Sequence, residues 1–193
     1  MPEIGEIRLG VPDQGALSRI LHEGGATYFP QWLSAEPSDE PRMLWWGIRG
    51  APVELLEVPD DAARLNLFPR PIDDWTDGPR GLVLATLDGE RAAHDLAPAL
   101  GDAWVDAGDD EILAARCRRM AVGRGILVLA EPAGEGYLAA CLARFGEGPV
   151  AVALDGSAAV GRTATWNPVS LGRATYVRIG PRTAPTLIFL PVG

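Results

Sequence analysis

Two stretches of the chain repeat one another. Residues 80–101 read RGLVLATLDGERAAHDLAPALG, and residues 124–146 read RGILVLAEPAGEGYLAACLARFG. Each opens on Arg-Gly, continues through a short apolar run, passes a Gly-Glu turn and enters an Ala-rich segment that stops at glycine. In the second copy Leu138, Cys141, Leu142 and Phe145 fall at i, i+3, i+4 and i+7, one face of a helix. In the first, Ala93, Leu96, Ala97 and Leu100 fit the same template, although Pro98 removes a backbone donor and restricts Ala97. The first helix is therefore expected to be short or kinked. A second apolar run follows each copy, ending near Asp106 and at Asp155. A strand that leaves through a helix and returns to the same sheet does so parallel to itself, with a right-handed crossover. The strands at 82–87 and 125–130 are expected to be parallel members of one sheet, and the two copies to superpose.

The remaining segments are read around this core. Residues 4–9 form a short strand, Asp13 caps a helix bearing Leu17, Ile20 and Leu21, and Gly24 ends it. Residues 43–48 and 53–58 read as a hairpin, and a short helix fits at 60–66. Residues 26–42 read as irregular. Asp109 to Ala121 has acids at its start and Arg116, Arg118 and Arg119 near its end, which predicts a helix capped by Gly123. Residues 157–172 are small and polar, and the runs 175–179 and 186–190 form an antiparallel hairpin. The expectation is an α/β domain with a mainly parallel sheet, built from two tandem β-α-β units at about 80–123 and 124–156. Antiparallel hairpins flank it at the N-terminal and C-terminal edges. Residues 1–193 form one domain: an N-terminal half (1–79), the duplicated core (80–156) and a basic C-terminal hairpin (157–193).

Charge narrows the function. All 17 basic residues are Arg, and the net charge is −9. That balance disfavours nucleic acid, whose binding rests on neutralising phosphates. Residues 157–193 nevertheless carry four Arg and no acid. Arg162, Arg173, Arg178 and Arg182 are thus candidates for an anion-binding face, weighed against pairing with the protein's own acidic surface. No apolar run reaches the length of a membrane span, and MPEIGEIRLG lacks the pattern of a secretory leader. With two cysteines outside any metal-ligand spacing, the chain is expected in the cytoplasm, with buried free thiols, no metal and no cofactor.

Motifs for catalysis are thin. Gly134-Glu135-Gly136-Tyr137-Leu138-Ala139 matches a dinucleotide fingerprint in letters, but Glu131, Pro132 and Ala133 separate it from the strand, and the glutamates repel phosphate. The two histidines, His22 and His94, have no zinc spacing. Asp73-Asp74, beside Trp75 in a long Pro-rich segment, is the carboxylate pair that no helix start explains. That segment and the one around Trp32 hold residue types that binding hot spots use, so Phe68, Arg70, Asp73, Asp74, Trp75 and Trp32 are the candidate contact residues. The absence of an assembled nucleophile or phosphate site points to a non-catalytic intracellular binding protein of accessory, adaptor or immunity type, engaging a protein partner. The acidic surface favours a basic partner. The alternative is a small-molecule enzyme with an acidic site at the carboxyl ends of the parallel strands, where Asp106, Glu131 and Asp155 would converge.

Overall fold

The computed structural model describes residues 3–24, 33–49, 65–68, 79–159, 161–166 and 173–191. Its N-terminal part contains β1 (Glu3–Val11), α1 (Gln14–Glu23), β2 (Leu33–Pro37), β3 (Arg42–Arg49) and β4 (Leu65–Phe68). These four strands form their own sheet, ordered β2-β1-β3-β4. β1 runs parallel to β2 and antiparallel to β3, and β4 lies parallel to β3. Asp13 caps α1 as its position predicts, accepting from the Ala16 N–H at 2.8 Å. Two expectations change here. β2 arises inside the segment read as irregular, and residues 65–66 belong to a strand rather than a helix.

The remaining elements are β5 (Gly81–Ala85), α2 (Gly89–Leu100), β6 (Val105–Asp110), β7 (Ala115–Val122), β8 (Gly125–Pro132), α3 (Tyr137–Phe145), β9 (Gly148–Asp155), β10 (Arg162–Thr165), β11 (Arg173–Arg178) and β12 (Thr186–Leu190). Their eight strands make one sheet, ordered β10-β11-β12-β9-β5-β8-β7-β6. β5 and β8, the strands of the two sequence copies, are parallel members of one sheet as expected, and the structure makes them direct neighbours. The sheet as a whole is mixed, not mainly parallel. Apart from β5–β8, β9–β12 is its one parallel pair among the described residues; β5–β9, β7–β8, β6–β7, β10–β11 and β11–β12 are antiparallel. The β-α-β reading fails after each helix. The strand following α2 pairs at the far edge, and the strand following α3 pairs with β5 head to tail.

The helix expected over 109–121 is a hairpin. Leu113, Cys117 and Met120 are buried and fall at i, i+4 and i+7, which imitates a helix. The cause is a strand that changes its covered face. Ala115 and Cys117 pack on one side of the sheet, whereas Met120 and Val122 pack on the other. Pro98 does not shorten α2, which extends to Leu100 and exceeds α3 in length. It lies in the last turn, so one carbonyl near the helix end loses its partner. The C-terminal hairpin is present as β11–β12, but β12 lies inside the sheet and β10 adds a third strand.

The eight-stranded sheet is curled. Six strand spacings separate β6 from β11, about 29 Å across a flat sheet. Yet Tyr176 of β11 donates a hydrogen bond to Asp110 of β6 at 2.6 Å. The side facing this contact is therefore concave. It carries Val83, Ala85, Val128, Ala130, Ala151, Ala153, Ile188 and Leu190 from the central strands, together with α3 and Trp166. The convex side carries Leu82, Leu84, Leu127, Leu129, Val152, Leu154, Leu187 and Phe189, covered by α2 and by the N-terminal sheet with α1. Among the described residues no helix is long and apolar enough to cross a membrane.

Candidate functional site

A curled sheet offers two places for a ligand, the concave face and the clefts at its margins. The concave face is occupied by side chains of the chain itself. Leu138, Cys141 and Leu142 of α3 pack into it, and Trp166 is fully buried against Gly81. A Cβ on Gly81 would lie 2.9 Å from the indole, so glycine there makes room for the ring. Polar groups on this face are few: among the described residues the Trp166 indole N–H and the Thr186 hydroxyl are buried without a hydrogen-bond partner, whereas Asp110 is engaged. Asp110 is 1% exposed; its Oδ1 accepts from the Ile112 and Leu113 N–H groups at 2.9 and 2.8 Å, and its Oδ2 from Tyr176. Burial raises the Asp110 carboxyl above the ordinary range against the opposing pull of these bonds. Burial likewise raises the Tyr176 phenol and pushes Cys117 up to about 12, with Asp110 adding to both.

Beside this core, a small open cleft of about 20 Å³ lies between α3, the start of β9, the turn before β12 and the start of β3. Tyr137, Cys141 and Phe145 of α3 line it, together with Val150, Thr183 and Arg42. The Tyr137 hydroxyl lies 2.8 Å from the Val150 carbonyl and 3.0 Å from that of Ala184, and Arg178 stacks over its ring at 4.3 Å. Burial raises the Tyr137 phenol and pushes the Cys141 thiol up to about 11. Both remain protonated at neutral pH, so the cleft presents an apolar lining with neutral donors rather than a thiolate. An ion pair between Arg144 and Glu40 at 2.7 Å joins α3 to the N-terminal part.

The acidic rim does not assemble as expected. Glu131 ends β8 and Asp155 ends β9, but β8 runs parallel to β5 and β9 antiparallel, which places the two acids at opposite ends of the sheet. Asp106 is on the exposed edge strand, where it accepts from the Gly108 N–H. Glu131 accepts from the Gly89 N–H at 3.1 Å and pairs with Arg116; Asp155 pairs with Arg80 at 3.5 Å. At the carboxyl end of β5 the carboxylate that gathers partners is Glu147, which no sequence motif marks. Its Oε1 accepts from the Thr86 hydroxyl and the Leu87 N–H, both at 2.7 Å, and from Arg91. Burial opposes its ionisation, but these donors outweigh it and hold the carboxyl below the ordinary range. Arg118 and Glu90 pair nearby at 2.6 Å. This rim is acidic in composition and neutralised by its own arginines.

The four C-terminal arginines do not form one anion site. All are exposed, and Arg173 and Arg178 stand at opposite ends of β11, about 16 Å apart along the strand. Among the described residues none of the ion pairs uses them, so internal pairing does not account for them either. Phe68 closes β4, but its side chain, like Arg70, Asp73, Asp74, Trp75 and Trp32, lies outside the described residues.

No family model and no curated protein matches the sequence. Solved structures do match the fold. A 2,2',3-trihydroxybiphenyl 1,2-dioxygenase from Sphingomonas wittichii strain RW1 aligns over 99% of this chain and 90% of its own, with 9% identity and a TM-score of 0.65. A halotolerant catechol dioxygenase aligns over 99% and 87%, with 11% identity and a TM-score of 0.55. A Mn(II)-bound glyoxalase from Novosphingobium aromaticivorans aligns over 98% and 81%, with 10% identity and a TM-score of 0.52. The fold is thus similar to that of the vicinal oxygen chelate proteins, the glyoxalases and dioxygenases. This corrects the expectation of a non-catalytic binder: the whole-chain structural neighbours are enzymes of small molecules, and they favour the alternative reading.

Proposed function

We propose that the chain is a small-molecule enzyme whose substrate enters the cleft between α3, β9 and β3. The observation that carries this reading is the whole-chain likeness to an enzyme of an aromatic polyol at a TM-score of 0.65. The cleft supports it in kind, because small organic ligands favour apolar concavities with a few placed polar groups. The acidic site at the strand ends does not enter the proposal, since Asp106, Glu131 and Asp155 are spread over two ends and an edge of the sheet. The substrate class is a small, largely apolar molecule with an oxygen-bearing head, able to lie against Phe145 and Val150 and to meet the polar atoms of Thr183 and Arg42.

The test is a thermal-shift and mass-spectrometric turnover screen over catechols, hydroxylated biphenyls, α-ketoaldehydes and aromatic carboxylates. At least one compound should bind and be converted, and Thr183→Trp, which fills the cleft, should weaken its binding at least ~10-fold, roughly 1.4 kcal/mol. Conversion unaffected by Thr183→Trp would move the site elsewhere, and a screen with no turnover would remove the enzyme reading.

A further inference from the structure

The concave face holds a disagreement with one of the neighbours just described. That glyoxalase is a Mn(II)-bound protein, and hard divalent ions need several carboxylate, carbonyl, imidazole or water ligands converging on one point. On the concave face of this chain, the central strands present Val83, Ala85, Val128, Ala130, Ala151 and Ala153, all 0–1% exposed. Among the described residues no group of three or more His, Cys, Asp or Glu could share an ion. Both histidines are exposed on α1 and α2, the helices of the opposite, convex side. Among the described residues, the buried carboxylate on the concave face, Asp110, already accepts three hydrogen bonds, and Asp155 at the margin is paired with Arg80. Cys117 is kept a thiol by burial and by the negative charge of Asp110. The described residues of the concave face do not fit a metal.

We infer that the concave face is a closed packing core and holds no metal ion, with α3 and Trp166 filling the space. The geometry supplies a reason beyond the missing ligands. Leu138, Cys141 and Trp166 are 0–1% exposed, so a hydrated divalent ion has no room on this face without displacing an indole or a helix. Any chemistry of the proposed enzyme is then displaced from the concave face to the marginal cleft. The inference about the metal stands on the core packing and not on that assignment.

Mn(II) titration followed by NMR tests it directly, because a paramagnetic ion broadens nearby signals whether or not a substrate is known. The probes are the indole N–H of Trp166 and the methyl groups of Val83, Leu138 and Ala151 in the full chain. The expected result is that all four stay sharp at stoichiometric Mn(II), and that bound metal does not fall in Asp110→Asn or Cys117→Ser. Selective broadening of these signals at one equivalent, or tight binding lost in Asp110→Asn while its fold is kept by circular dichroism, overturns the inference. Binding elsewhere broadens other signals and leaves these four sharp, as the inference requires. A failed substrate screen would leave this result untouched, so the two readings fall separately.

Discussion

The two halves of the eight-stranded sheet are the same arrangement covered in two different ways. In the order of the chain, β5-β6-β7-β8 lie as first, fourth, third and second from the centre outwards, with the first and second, β5 and β8, parallel. β9-β10-β11-β12 repeat that order and that parallel pair on the other side of the β5–β9 contact. In the first half, α2 lies in the chain between β5 and β6 and covers the convex face through Ala93 and Leu96. In the second half only residues 156–161 separate β9 from β10, too few for a crossover helix. Its convex residues Val152, Leu154, Leu187 and Phe189 cluster instead with the N-terminal part. The end of α1 reaches the place where a helix would begin: the Ser157 N–H donates to the Gly24 carbonyl at 3.0 Å, and a Cβ on Gly24 would lie 2.6 Å from the Phe189 ring. A face left apolar by its strands must be covered, but it does not matter to the burial whether the cover comes from next door in sequence or from the other end of the chain.

Removing the covered ring in the second half should have the largest effect. Phe189→Ala should cost about 4 kcal/mol, and Leu96→Ala under α2 about 3 kcal/mol, both within the range for large-to-small core changes. The distinguishing measurement is amide exchange in α1. It should accelerate in Phe189→Ala and hold steady in Leu96→Ala; equal acceleration in both would mean that the two halves share one cover. Next in size is the contact between α1 and the short loop. Gly156 has φ +146°, and a Cβ there would lie 2.4 Å from the Gly24 carbonyl. Gly156→Ala should cost about 2 kcal/mol by denaturant unfolding, from strain and overpacking together. Gly134→Ala, with nothing within 4 Å, should be close to neutral.

The contact that curls the sheet joins the far strand of one half to the other half, and pH separates it from the rim. The Asp110 carboxyl is raised in the fold, so its contribution to stability is complete below the unfolded carboxyl range and is lost as pH rises through the raised value. Glu147 is lowered, so its contribution is present above the unfolded range and is lost as pH falls through the lowered value. Denaturant midpoints across the acidic to neutral range should therefore flatten on the rising side in Asp110→Asn and on the acid side in Glu147→Gln. Tyr176→Phe, which leaves Asp110 short of one donor, should cost about 1–2 kcal/mol at neutral pH. A loss independent of pH in all three variants would mean that neither carboxyl titrates as the geometry requires. The smallest effect is expected at the exposed clamp between the N-terminal part and α3. Arg144→Ala should cost at most about 1 kcal/mol and be weakened further by salt.

The legible parts of the sequence were those whose partners are local. The Asp13 cap, the α1 stripe, the Ala-rich helices and the parallel direction of β5 and β8 in one sheet follow from spacing alone. The 44-residue sequence repeat, however, is not the repeat of the fold. It matches β5-α2 with β8-α3, whereas the architecture matches β5 through β8 with β9 through β12, a shift of 67 residues from Gly81 to Gly148. Similar letters marked two strand-then-helix segments that play different parts, one helix covering the convex face and the other filling the concave one. Residues 109–121 misled because acids at one end and arginines at the other suit a hairpin as well as a helix: β6 and β7 set Asp106 opposite Arg118 and Asp109 opposite Arg116. Glu147 was invisible because its partners Thr86, Leu87 and Arg91 are about 60 residues away.

The sequence by itself determined local rules of this protein: where α1 is capped, which faces of its Ala-rich helices bury, and that two apolar strands run parallel in one sheet. Tertiary structure alone decided the direction of β9, and with it the separation of Glu131 from Asp155. It also decided the curl that brings Asp110 to Tyr176, and the choice of α3 and Trp166 to fill the concave face. The physical reason is that hydrophobic burial is nearly blind to direction and to distance along the chain, so an apolar strand fits a sheet either way up. Hydrogen-bond register and the shape of the covered face settle the orientation, and these exist only once the strands have met.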